Sequence, residues 1–147
     1  MKLTGSYTVA APPERVFAAL IDPAVLQRTL PGCEALTKVG DDQYDACVKI
    51  GVAGLKGTYT GRAEIRDRQP PQSFTLLVDG KGSPGFVRST ARIALSAVDE
   101  GTRVECDADV QVGGLIAAVG SRLVEAAGRK QMDDFFRQLA ADLAQDD

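Results

Sequence analysis

The sequence contains no histidine and no tryptophan, and aromatic residues make up only 5% of it. Without histidine, the chain lacks the commonest general base and metal ligand of enzymes. It also cannot build a Ser-His-Asp or Cys-His catalytic arrangement. We therefore expect no metal and no cofactor. Any enzyme built on this chain would have to use tyrosine or carboxylate side chains.

Cysteine and long apolar runs are also scarce. The three cysteines, Cys33, Cys47 and Cys106, are widely spaced and form no CxxC pair, which indicates free thiols in a reducing compartment. The longest apolar run, 115–119, is far too short to span a membrane. A strand-like pattern begins at residue 3, where a secretion signal would otherwise lie. We therefore expect a cytoplasmic protein.

Charge gives no indication of nucleic acid as a partner. The formal net charge is −3, and no run of basic residues interleaved with aromatics occurs. A length of 147 residues favours one domain, 1–147, that is large enough to bury a proper core. Fifteen glycines and few aromatics indicate a core that either packs with aliphatic side chains or leaves a void.

Alternation of apolar and polar residues predicts seven strands. They lie at about 3–9, 33–39, 43–50, 58–67, 73–81, 86–98 and 102–112. Two short helices follow the first strand, one entered at Pro13 and one capped by Asp22 with Pro23 in its first turn. The later strands are joined by short turns, which predicts an antiparallel meander with one dry and one wet face. The fold class is therefore α+β.

A long C-terminal helix is predicted over 115–144, where no proline occurs and apolar residues recur at helical spacing. Its first half is rich in small residues. Its second half carries Met132, Phe135, Phe136 and Leu139. Because the apolar stripe changes side near Gly128, we expect a bend there, two halves that face different surroundings, or both. The second half would anchor the helix in the core, and the first half would roof a pocket.

The dry face of the predicted sheet carries mostly small or medium side chains, and it faces a helix half that is also small. Small side chains on the sheet that face small side chains on the helix leave space unfilled, which predicts an apolar ligand cavity. The alternative is a collapsed core of small residues. The predicted lining is Val48, Ile50, Tyr59, Leu76, Val78, Phe86, Val87, Ser89, Ala91, Ile93, Val104, Ala108, Val110, Leu115, Val119 and Leu123.

Polar groups and glycines complete this prediction. Tyr44, Tyr59, Ser89 and Cys106 would point inward, either to orient a ligand or simply to satisfy neighbouring backbone groups. The glycine-dense stretch 51–57 lacks the features of a phosphate-binding loop, because it lies between strands and has no following GKS or GKT. We expect this stretch and 80–85 to be loops that edge the mouth of the cavity.

Several short motifs, in order, resemble those of a known family. They are Asp22-Pro23, the run LPGCE at 30–34, Lys56-Gly57-Thr58-Tyr59, Gly80-Lys81-Gly82, Gly101-Thr102-Arg103, and Gly113-Gly114-Leu115 continuing to Phe135-Phe136. The chain is similar in these to the CoxG family of carbon monoxide dehydrogenase subunits. Its order of elements resembles the helix-grip fold of the START/Bet v 1-like (SRPBCC) superfamily, in which a seven-stranded curved sheet grips a long C-terminal helix.

The resemblance implies a non-catalytic accessory protein of a molybdenum carbon monoxide dehydrogenase-type enzyme. It implies an apolar ligand, lipid-like or quinone-like, under the helix, and a role in membrane recruitment or electron transfer. Some family members continue into a hydrophobic C-terminal anchor, whereas this sequence ends at Asp147. We therefore expect peripheral contact with the inner face of the membrane through a surface patch or a partner. Two alternatives remain: a cyclase-like or dehydratase-like enzyme acting in the same cavity, and a scaffold without a ligand.

Overall fold

The chain folds in the predicted order of one strand, two short helices, six strands and a C-terminal helix. The computed structural model describes residues 1–145, and Asp146 and Asp147 of the predicted domain lie outside the described residues. The strands are β1 (Lys2–Val9), β2 (Cys33–Gly40), β3 (Gln43–Ile50), β4 (Gly57–Gln69), β5 (Ser73–Gly82), β6 (Gly85–Val98) and β7 (Gly101–Gly113). The helices are α1 (Pro13–Leu20), α2 (Pro23–Thr29) and α3 (Ser121–Gln145).

The strands form one antiparallel sheet in the order β1-β7-β6-β5-β4-β3-β2. Strands β2 to β7 each pair with their neighbours in sequence, because short turns join them. Strand β1 adds to the far edge by pairing with β7, so that Leu3 lies opposite Ala108. The predicted alternation is confirmed. The inner face is buried over much of β1, β6 and β7, whereas β2 has no fully buried residue, and the outer face carries most of the charges.

The two short helices begin where the sequence predicts. Pro13 occupies the first turn of α1, where its missing N–H costs no hydrogen bond. Asp22 caps α2, and its carboxylate accepts a hydrogen bond of 2.9 Å from the N–H of Ala24. Helix α2 is tied to α3 by Arg28, whose guanidinium donates to both carboxylate oxygens of Asp142. Both helices therefore close one end of the sheet.

The second half of α3 anchors the helix, as predicted. Leu139 is fully buried, and Phe136 stacks on the ring of Tyr7 with 4.3 Å between ring centroids. The Tyr7 hydroxyl donates to the Asp133 carboxylate at 2.6 Å. Because Tyr7 lies on the edge strand β1, these contacts fasten the helix to the edge of the sheet.

The predicted start of the long helix is wrong. Gly114–Val119 forms a 3₁₀ segment, and Gly120 then adopts φ 95° and ψ 149°, which breaks the helix before Ser121. Glycine tolerates this backbone conformation, whereas other residues rarely adopt it. Gly128 lies inside α3 without a break. A Cβ atom there would lie 2.9 Å from Cδ2 of Leu3, so the small residue lets α3 approach β1 closely.

Candidate ligand site under the C-terminal helix

The buried residues under α3 form two separate clusters. The main cluster joins α1, α2 and the second half of α3 to one end of the sheet. The minor cluster, at the other end, contains the buried side chains of Leu55, Ile116 and Val124. A single packed core would connect these groups through buried side chains across the middle of the sheet. Their separation leaves a band of the inner face between them.

The side chains on this band are only half-buried, although they face inward. They are Ala46, Val48, Tyr59, Val78 and Ser89. In the middle of the band Gly61 lies directly opposite Gly80 on the neighbouring strand, so that bare backbone forms the floor. A Cβ atom built on Gly80 would meet only one atom within 4 Å, the Thr60 carbonyl oxygen at 3.8 Å. We call this band the central groove.

A cleft opens next to the groove, at the end of β7. Strand β1 begins opposite Val110, where the amino group of Met1 donates to the Val110 carbonyl at 2.9 Å. Within residues 1–145 no strand lies beside the edge of β7 beyond this point, and the break at Gly120 lies across from it. The cleft between them has a volume of about 450 Å³. Its lining is Met1, Phe86, Arg88, Val110, Gln111, Val112, Ala117, Gly120, Ser121 and Val124.

The structure brings together some of the predicted lining residues. Val48, Tyr59, Val78 and Ser89 lie in the central groove. Another set borders the groove by packing on one cluster or the other: Ile50, Val87 and Val119 on the minor cluster, and Leu76 and Val110 on the main cluster.

Four other predicted lining residues belong to the main cluster instead. Ala91, Ile93, Val104 and Ala108 are all buried in the main cluster, with relative exposures between 0% and 9%. They share the inner face with the groove residues, but they lie nearer α1 and the anchored half of α3. Alternation alone identifies the face correctly and cannot show where along each strand the helix packs tightly.

Three predicted lining residues are wrongly placed. Phe86 lies on the outer face, since its neighbour Val87 points inward, and the Arg88 guanidinium carbon sits 4.8 Å from its ring centroid. It reaches the cleft only from outside the sheet. Leu115 is 74% exposed, because in the 3₁₀ segment the next residue, Ile116, is the one that turns inward. Leu123 is 38% exposed and lies near Gly54 of the β3–β4 loop.

Sequence reasoning missed Leu55 and the glycine pair. Leu55 lies in the glycine-dense loop, yet it is only 6% exposed and fills the space between Ile116 and Val124. It is the one large apolar residue in a stretch of small ones, and that contrast is a usable signal. Gly80 lies inside β5 opposite Gly61, within the predicted strand 73–81, but neither glycine is among the predicted lining residues. The alternation of inward and outward residues along β4 and β5 places both glycines on the inner face, so the pair could have been found from the sequence.

Most inward polar groups satisfy the backbone. The Tyr44 hydroxyl donates to the Ile21 carbonyl at 2.9 Å, and the Tyr59 hydroxyl donates to the Leu55 carbonyl at 2.7 Å. Burial raises the pKa of both phenols, so they stay neutral near pH 7. Within residues 1–145 the Ser89 hydroxyl has no protein partner. It is therefore the polar group that the groove offers to a ligand.

Among the residues that the structure describes, those that form the central groove include no acid. They are Ala46, Val48, Tyr59, Val78 and Ser89, with Gly61 and Gly80 as the floor. The described residues contain no cluster of three or more His, Cys, Asp or Glu side chains that could hold a metal ion. The groove that they form is thus apolar and uncharged.

Cys106, which alternation predicts to point toward the cavity, lies in the main cluster instead. Burial raises the pKa of its thiol to about 12. We expect a maleimide reagent at pH 8 to label Cys33 and Cys47, which are half-exposed, and to leave Cys106 unlabelled until the protein is unfolded. Mass spectrometry of peptides from the native and denatured protein measures this. Equal labelling of all three thiols in the native protein would contradict the assignment of Cys106 to the core.

The fold and the groove define a helix-grip protein of the START/Bet v 1-like class. A START superfamily protein from Mycobacterium smegmatis matches with a TM-score of 0.79 and 14% identity, over 98% of this chain and 97% of that one. Ara h 8.0201 matches with a TM-score of 0.72 and 12% identity, over 99% and 98%. The model of the CoxG family of carbon monoxide dehydrogenase subunits matches residues 5–144, and the chain belongs to this family.

One similar structure is also related in sequence. A conserved protein from Geobacillus kaustophilus matches with a TM-score of 0.94 and 34% identity, over 99% of this chain and 96% of that one. No curated protein matches the chain significantly by sequence. Among the described helices, none is long and apolar enough to cross a bilayer.

Proposed function

We propose that this protein is a non-catalytic carrier of a hydrophobic small molecule, lipid-like or quinone-like, for a molybdenum carbon monoxide dehydrogenase-type enzyme. The observation that carries the proposal is the central groove, an uncharged and partly open band of sheet under α3 with Gly61 and Gly80 as its floor. Membership of the CoxG family supports the choice of enzyme partner. The proposed setting is the cytoplasmic side of a membrane, where the carrier would aid recruitment of the enzyme or its electron transfer.

The chemistry of the groove supports a neutral ligand with a flat apolar body. Val48 and Val78 offer only methyl groups, and Tyr59 offers its ring, since its hydroxyl is already bonded. Burial of a charge among such groups would be strongly unfavourable. The glycine floor leaves open space above Gly80, where a Cβ atom would meet only the Thr60 carbonyl oxygen at 3.8 Å, and such space suits a planar ring. Ser89 would bond one carbonyl or hydroxyl of that ring.

The absence of catalysis is part of the same proposal. An enzyme of this superfamily acting in the groove would need an acid or base there. Tyr44 and Tyr59 are the phenols nearest to the groove, and both donate to backbone carbonyls. This arrangement favours a carrier over a cyclase or dehydratase.

Native mass spectrometry tests the carrier proposal. We expect the purified protein to retain one apolar molecule per chain, which is released on denaturation and identified in an organic extract. Protein that is purified without a bound ligand is then mixed with N-phenyl-1-naphthylamine, a neutral apolar probe whose fluorescence rises on binding. A protein that is ligand-free and also fails to take up this probe would contradict the proposal.

A further inference from the structure

Three segments meet at the end of the molecule where the cleft opens. They are the β3–β4 loop 51–56, the β5–β6 turn 83–84 and the 3₁₀ segment Gly114–Val119. The N–H of Ile116 donates to the Pro84 carbonyl at 2.8 Å, and a Cβ atom on Gly54 would lie 3.0 Å from Val119. These contacts make the segments one surface, which we call the tip.

The tip exposes apolar side chains. Leu115 is 74% exposed and Leu123 is 38% exposed, and Met1, at 38%, lines the adjacent cleft. These are three of the four large hydrophobic side chains that the described residues expose. Ala53, Ala117 and Ala118 are exposed beside them. Exposed apolar residues grouped in this way mark an interaction surface, whereas scattered single ones do not.

The charge around the tip has one sign. The three segments of the tip, each taken with three residues on either side (48–59, 80–87 and 111–122), contain Lys and Arg but no Asp or Glu, although the whole chain has 20 acidic and 17 basic residues. Four exposed cations in them have no carboxylate partner within residues 1–145: Lys49, Lys56, Lys81 and Arg122. Elsewhere the basic side chains commonly pair, as Lys2 does with Asp107 and Asp109.

We propose that the tip docks on the surface of an anionic lipid bilayer. Unpaired cations attract the negative surface of such a membrane, and shallow apolar side chains enter the region between headgroups and acyl chains. An acidic protein surface fits less well, because the tip lacks the Tyr and Trp anchors that dominate protein interfaces. The protruding side chain is Leu115, and its neighbours are alanines and glycines.

This inference rests on the proposed function and names the membrane chemistry that would serve it. The lining of the cleft between the edge of β7 and Gly120 includes Ala117 of the tip. With the tip on the bilayer, the cleft would face the membrane, and Val110 on its wall lies opposite Ser89 of the central groove. Docking would then place the opening of the carrier against the source of its ligand.

Sedimentation with vesicles tests the docking surface. We expect the protein to bind vesicles of phosphatidylcholine with phosphatidylglycerol, weakly or not at all those of phosphatidylcholine alone, and less at high salt. Neutralising one cation of the tip should lower partitioning about fivefold. The double variant Lys56→Glu/Arg122→Glu should therefore lower it by more than about twentyfold. Leu115→Ser should lower it about tenfold through the lost apolar contact.

Matched control variants lie at the opposite end of the sheet. Lys38→Glu and Val39→Ser alter an exposed cation and an exposed apolar residue near the β2–β3 turn, and both should leave partitioning unchanged. Equal loss in tip and control variants would overturn the proposal, as would failure of the unaltered protein to bind the anionic vesicles. Loss of enzyme association instead of vesicle binding in the tip variants would also overturn it, in favour of an acidic protein partner.

Uptake of N-phenyl-1-naphthylamine by the same variants separates this proposal from the carrier function. Tip variants that take up the probe normally but no longer bind vesicles support the docking surface. A protein that binds anionic vesicles through the tip but takes up no probe supports docking and contradicts the carrier function.

Discussion

Phe136→Ala is expected to lower the free energy of unfolding by about 3–5 kcal/mol, because it removes a large buried side chain and leaves a cavity. Phe136 is 5% exposed and stacks on Tyr7, whose ring lies nearly parallel to it at 4.3 Å. The same contact joins α3 to the edge strand β1. Loss of this contact therefore loosens the whole helix as well as one position in the core. Urea unfolding monitored by circular dichroism measures the change.

Phe135→Ala is the matched control, since it removes the same side chain from the adjacent position. Phe135 is half-buried and touches Phe136 edge-on at 4.9 Å between centroids. Its removal should cost clearly less than that of Phe136. Similar losses for the two variants would contradict the conclusion that Phe136 fastens the second half of α3 to the sheet.

The order of elements and the face of every strand could be predicted, because alternation in a half-buried antiparallel sheet is unambiguous. A shift of one residue would expose a whole set of apolar side chains. Val104, Cys106 and Ala108 face inward as alternation requires. The two short helices were predictable from proline and the Asp22 cap, which are local signals. These parts depend on short-range chemistry.

The beginning of the long helix was not predictable in the same way. Six residues of 3₁₀ structure and a helical turn have nearly the same apolar spacing, so the pattern at 114–119 fits both. The choice depends on Gly120, whose positive φ ends the segment. A glycine permits this conformation but does not require it, so its presence alone does not predict the break. The exposure of Leu115 follows directly from that choice.

The face of the sheet that carries the site could be predicted from the sequence. Which of the inward residues line the groove could be seen only in the tertiary structure. Whether an inward residue lines a groove or a packed core depends on how closely the helix lies above it. Ala91 lies under the anchored part and is buried, whereas Val78, on the neighbouring strand, lies beyond it and is half-exposed. Gly128 lets the anchored part of α3 approach β1 closely at Leu3.

The groove and the two clusters together explain how one short domain combines stability with a ligand site. The main cluster supplies a packed core, in which α1, α2 and the second half of α3 cover the sheet. The minor cluster packs Leu55, Ile116 and Val124 together at the other end of the sheet. Since stability resides mainly in one cluster, substitutions in the groove should change binding with little effect on folding.

Gly80→Phe is accordingly expected to abolish uptake of N-phenyl-1-naphthylamine while it leaves the melting temperature close to that of the unaltered protein. The new Cβ atom would meet only the Thr60 oxygen at 3.8 Å, and the ring would occupy the floor beside Gly61. Ala91→Phe places the same ring on the same face within the main cluster, where overpacking should cost about 1–3 kcal/mol. Fluorescence titration and thermal melts measure both effects. If Gly80→Phe were as destabilising as Ala91→Phe, the groove would be packed core; if it bound the probe normally, the ligand would lie elsewhere.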